Sequence, residues 1–206
     1  MNPYEVRFNY QLWRPITSLF LTSGLYNYGY ASAYLLIFGF MLQVTKIKFL
    51  TMLSFYIICG FVGNIFGALC NPNGSISVGS DPANFGIFSG LIATFIVNWK
   101  ALDNAPQVRC PLIFVLVMIT LMLLLGSLNK TALLASYHPY EVYAAWGGYI
   151  CGFFLGLIMM PHLRRNAHHV GSYEKFIQKV GAVWLVIYLA IVFSCFFTVY
   201  NPPKWY

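Results

Sequence analysis

The chain has 206 residues, of which 59% are apolar, 18% aromatic and only 8% charged, with a mean hydropathy of +0.69. A soluble domain carries about a quarter charged residues, so 12 Lys+Arg and 5 Asp+Glu cannot coat one of 23.3 kDa. Soluble-enzyme and nucleic-acid-binding readings are excluded, the latter also for want of basic tracts, and the formal charge of +7 reports first on loop topology.

Residues 1–22 hold no long apolar stretch ending in a small-residue cleavage site, so no signal peptide is expected, and Arg7 and Arg14 alone are too few for a clear transit peptide. Trp13, Pro15 and scattered Tyr suit a segment lying at the membrane interface. Six apolar runs of about the 17 to 25 residues that cross a bilayer follow: 25–42, 49–69, 82–97, 111–128, 143–160 and 180–199. The expectation is an all-α polytopic membrane protein with about six transmembrane helices and no soluble domain. No repeat of 20 to 50 residues stands out, which gives an inverted-repeat transporter little support.

Six spans sort the cations. One side of the bilayer receives Arg7, Arg14, Lys130 and Lys204; the other receives Lys46, Lys48, Lys100, Arg109, Arg164, Arg165, Lys175 and Lys179. The positive-inside rule puts the second set, in loops 44–48, 98–110 and 161–179, in the cytosol or the mitochondrial matrix, with Met1 on the opposite face. The five cysteines form no CxxC pair and no Cys/His cluster, so neither a disulfide framework nor a metal site is expected, and no cofactor is.

Three segments are similar to parts of the rhomboid family. Trp13-Arg14-Pro15-Ile16-Thr17-Ser18-Leu19-Phe20-Leu21 resembles the loop before that family's second helix, where a Trp-Arg pair leads in. Ser77-Val78-Gly79-Ser80-Asp81-Pro82-Ala83-Asn84-Phe85-Gly86 resembles the GxSG segment and its following Phe-Gly at the start of the fourth helix. Ala144-Ala145-Trp146-Gly147-Gly148, continuing to Gly152 and Gly156, resembles the sixth helix, in which a His precedes a ladder of glycines. Their order implies a rhomboid core over roughly residues 10–162. The resulting division is an interfacial segment 1–24, a rhomboid-like transmembrane core 25–162, and a basic loop with an appended C-terminal helix 163–206. A helix preceding the Trp-Arg loop is expected to be lacking, leaving a face of the core to be covered by another protein.

An active member of that family resembles other nucleophile–base enzymes, with a Ser at a helix N-terminus, a His on a facing helix and donors for the oxyanion. In this sequence the nucleophile position matches Asp81 and the base position Ala145, while the upstream oxyanion positions match Thr22, Asn27 and Ala31. Shifting the register to Ser80 loses the glycine spacing and the Phe85-Gly86 match. Ser89 lacks the glycine two positions earlier, and all four His (His138, His162, His168, His169) fall in loops. The resemblance therefore implies an inactive pseudoprotease of the kind that includes the iRhoms and, more distantly, the derlins.

The residues also have plainer readings. Asp81 is expected to N-cap a helix with Pro82 at its first position. Gly86/Gly90 and Gly148/Gly152/Gly156 recur every four residues, the spacing of a small-residue stripe that lets helix backbones approach. Trp13 and Arg14 are expected at the interface, Arg14 against loop carbonyls or lipid headgroups. The sequon at Asn129 is read as chance, and the run 161–179, including Arg164 and Arg165, as topology anchoring or an anionic-phospholipid site such as for cardiolipin. The function these readings point to is non-catalytic: a structural or assembly subunit among other transmembrane subunits, in the mitochondrial inner membrane or else the endoplasmic reticulum. A client-binding pseudoprotease in membrane-protein quality control is the alternative, and an active intramembrane protease the least supported.

Overall fold

Apolar chain in a bilayer has no water to satisfy its amides and must pair them internally, as helices or closed barrels. The computed structural model describes residues 3–21, 25–44, 47–70, 79–99, 139–159 and 172–198, with 110, 113, 114, 116–118, 120 and 121, and among them there is helix and no strand. The elements are α1 (Pro3–Phe8), α2 (Arg14–Thr17), a 3-10 turn (Ser18–Phe20), α3 (Leu25–Val44), α4 (Phe49–Cys70), α5 (Asp81–Val97), α6 (Pro139–Met159) and α7 (Ser172–Thr198). The sixth expected run, 111–128, lies mostly outside the described residues, although 113, 114, 116–118, 120 and 121 are helical.

Phe49–Cys70, Val142–Met159 and Lys175–Thr198 are long and apolar enough to cross a bilayer, while Ala31–Leu42 and Asp81–Val97 are shorter apolar helices. The length of α5 is explained by its position. Its 17 residues rise about 26 Å, short of a hydrocarbon core of about 30 Å. Yet every residue but Asp81, Ile92 and Ile96 is buried, so protein rather than lipid surrounds it. It packs most extensively on α6, then on α4 and α3, and α7 lies against α6 and α4. Aromatic pairs tie α3 to α5, with Tyr34–Phe85 and Phe38–Phe88 ring centroids 5.6 and 5.3 Å apart.

The two ends of the bundle are distinct. At one, fully buried Val6 of α1 joins Ile65 and Ala68 from the end of α4, Ala144 from the start of α6, and Val192 and Phe196 from the end of α7. At the other, Leu42 of α3, Ile47, Thr51, Met52 and Phe55 near the start of α4, and Met159 of α6 line a small apolar pocket. The N-terminal segment and the end of the last helix thus share one end, the arrangement an even number of spans produces.

Two expected boundaries shift. α6 begins at Pro139 rather than 143, with Pro tolerated in the first turn because its missing N–H would have no partner there. α7 begins at Ser172 rather than 180, so part of the expected basic loop 161–179 is helix and Lys175 and Lys179 stand on it. Hydropathy locates only the stretch that lipid requires to be apolar. Glu174, Lys175, Gln178 and Lys179 are good helix formers, and they extend the helix beyond it.

Candidate functional site

The site that the sequence singles out is built around the start of α5. Gly79 has φ +155°, a conformation side chains rarely adopt, and its N–H donates to the Ser18 carbonyl at 3.1 Å, tying the entry of α5 to the 3-10 turn. The helix then opens with Asn84 N–H donating to the Ser80 carbonyl at 3.0 Å. The N-cap is Ser80, which makes no side-chain capping bond, and Asp81 is the first helical residue with Pro82 after it. This corrects the expected cap by one position. Asp81 still places its carboxylate in the first turn, at the positive end of the helix dipole.

Around that turn lies a polar cluster. Ser80, 7% exposed, accepts a hydrogen bond from Asn84 Nδ2 at 3.3 Å, and the Tyr56 phenol of α4 lies near Ser80 and Asp81. Asn84 Nδ2 also donates to the carbonyl of Ala31 on α3 at 3.3 Å. One of the three upstream positions, Ala31, is thereby brought to the first turn of α5, contributing a backbone oxygen and not a side chain. Asn27 lies on α3 with its side chain outside the described residues, and Thr22 is outside them altogether.

The facing helix brings the position that the sequence matches to a base. Ala145, 1% exposed, packs with Phe85, and Trp146 and Tyr149 lie against the pair. The seam between α5 and α6 closes by backbone contact: a Cβ on Gly148 would collide with the carbonyl of Pro82, and one on Gly152 with the carbonyl of Gly86 and with Ser89 Oγ. One on Gly156 would stand 2.7 Å from Ala93 Cβ and 3.1 Å from Gly90 Cα. Helix α4 makes a second such seam, unexpected from sequence, where a Cβ on Gly63 would meet Pro82 Cβ at 2.5 Å and one on Gly67 would meet Ala144 Cβ at 2.8 Å. Its signal was available, since Gly60, Gly63 and Gly67 recur at helical spacing within one apolar run.

The other hydroxyl, Ser89, is fully buried and donates to the Gly86 carbonyl at 2.8 Å. None of the four His is among the described residues, nor are Arg164 and Arg165. Of the interfacial pair, Trp13 is 57% exposed, but Arg14 Nε donates to Gln11 Oε1 rather than to a loop carbonyl; a side chain three residues back offers a nearer acceptor. The Trp-Arg-Pro segment is pinned to α4 by buried Asn64, whose Nδ2 donates to the Pro15 carbonyl at 2.9 Å and to Ser18 Oγ at 3.1 Å, while Ser18 Oγ donates to the same Pro15 carbonyl at 3.0 Å. Sequence reasoning passed over Asn64 and Asn84, although an amide inside an apolar span is itself a signal, being costly there unless bonded. Among the described residues no three His, Cys, Asp or Glu gather to hold a metal ion, and the five thiols are free, with Cys59 and Cys151 in contact and fully buried.

These features define a helical membrane protein with a helix-start site facing a glycine-lined helix. A profile of the Rhomboid domain matches residues 9–166, and the chain belongs to the rhomboid family. It is 27% identical over 152 residues, 74% of its length, to RHOMBOID-like protein 7 of Arabidopsis thaliana, and 30% identical over 148 residues, 72% of its length, to RHOMBOID-like protein 6, mitochondrial, of the same plant. Rhomboid-like protease 3 of Toxoplasma gondii is 34% identical over 99 residues, 47% of this chain and 36% of that one. The chain spans only 44% of the length of each of the two plant proteins.

Proposed function

We propose that this rhomboid-family membrane protein is non-catalytic and serves as a structural or assembly subunit of a larger membrane complex. The observation that carries the reading is the presence of Asp81 and Ala145 at the positions that the family resemblance assigns to a nucleophile and a base. A carboxylate has no proton to be withdrawn and does not productively acylate from a peptide; Ala145 offers no base. The close α5–α6 seam supports packing as the purpose of the helices.

Outside the bundle, the exposed apolar side chains of α3 (Leu36, Phe40) and α7 (Val183, Val186, Ile191) offer faces that partner transmembrane subunits can cover. One relative bears a mitochondrial name, and together with the basic excess this favours the mitochondrial inner membrane over the endoplasmic reticulum. Lys175 and Lys179, exposed on the first turns of α7, suit the headgroup of an anionic phospholipid such as cardiolipin. The reading is tested by purifying the tagged chain in mild detergent. A fixed set of membrane subunits at constant stoichiometry supports it, whereas a solitary monomer, or a variable population of clients, overturns it.

A further inference from the structure

Asn84 is 3% exposed, and its Nδ2 is committed to the Ala31 carbonyl and to Ser80 Oγ, both at 3.3 Å. Its Oδ1 is buried and has no hydrogen-bond partner among the described residues. Turning the amide over does not cure this, because Oδ1 would then face the Ala31 carbonyl, acceptor against acceptor. A buried acceptor left without a donor is as costly as a lost hydrogen bond, and in a membrane-spanning bundle lipid cannot supply one.

The surroundings select the class of ligand. The site lies at the N-terminal end of α5, where the helix dipole disfavours a cation. An anion is disfavoured by Oδ1 itself and by the neighbouring Asp81 carboxylate. A neutral hydrogen-bond donor remains. It must be small, since Ala31 and Ser80 crowd the amide, while Gly79 and Asp81 at the same helix start are only half-buried. It also has further partners, because a buried water needs two to four polar groups and the Ser80 hydroxyl stands on the same turn with the Tyr56 phenol of α4 near it.

We propose that the first turn of α5 is a hydration site, in which an ordered water donates to Asn84 Oδ1 and is shared with the Tyr56–Ser80 pair. Asn64 provides an internal control: it is equally buried at 2% exposure, also on a transmembrane helix and also bonded to a serine hydroxyl, so exchange relayed through a hydroxyl affects both amides alike. The full chain, reconstituted in phosphatidylcholine vesicles with isotope-labelled asparagine, is examined by solid-state NMR in which magnetisation starts on water protons and is read at the site-assigned Cγ carbons. Asn84 is expected to build up several-fold faster than Asn64. Equal, slow build-up at both amides overturns the proposal, as does a density map in which a protein donor occupies Oδ1.

Discussion

The seam between α5 and α6 and the outer face of α7 are both apolar, yet they are built for opposite surroundings. Along the seam, Gly148, Gly152 and Gly156 admit the backbone of α5, and the neighbouring Pro82, Ala83, Ile87 and Ala145 have at most a trace of exposure. On α7 only 17% of its most apolar stretch is buried, and Val183, Trp184, Val186 and Ile191 are more than half exposed. The difference teaches that hydropathy does not distinguish the two. Residue size does, because in lipid helices associate through close packing and interhelical hydrogen bonds rather than through escape from water.

The largest expected effect comes from breaking the seam. Gly148→Leu drives a side chain into the Pro82 carbonyl, which cannot rotate away, and is expected to cost more than about 3 kcal/mol; the variant should lose its monodisperse elution in detergent. A smaller loss is expected at the link between α4 and the Trp-Arg-Pro segment. Asn64→Ala removes the amide that ties both the Pro15 carbonyl and Ser18 Oγ to α4, and should lower stability by about 1 kcal/mol in a thermal melt.

The link joining α7 to the seam is weaker. The Tyr188 hydroxyl donates to the Gly147 carbonyl at 2.9 Å, and Tyr188→Phe is expected to cost about 0.6 kcal/mol, the average for such bonds in membranes. Smallest of all, Ile191→Ala on the outer face should leave the melt within about 0.5 kcal/mol. If α7 docks partner subunits, the same variant should still reduce their co-purification.

Much of the fold was legible because lipid imposes length and apolarity: α3 and α4 fall within two residues of their expected ends, and α5 within one. The start of α7 was not legible, since Glu174 to Lys179 obey helix propensity outside the bilayer, where hydropathy is silent. At the site, the order of the three motifs was readable, and the match of Asp81 and Ala145 to nucleophile and base positions rests on that order alone. The Asn84 clasp onto Ala31 was not, because it joins residues 53 apart in sequence through a backbone carbonyl that every residue possesses. The second glycine seam on α4 was present in the spacing, but its partner, Pro82 together with Ala144, emerges only when three helices meet.

The central claim, that the site between α5 and α6 performs no chemistry, is tested most directly by incubating the purified chain in vesicles with fluorogenic transmembrane peptides and a serine-reactive fluorophosphonate. Neither cleavage above the rate of empty vesicles nor covalent labelling is expected. Cleavage that disappears in Ser80→Ala or Ser89→Ala would contradict it.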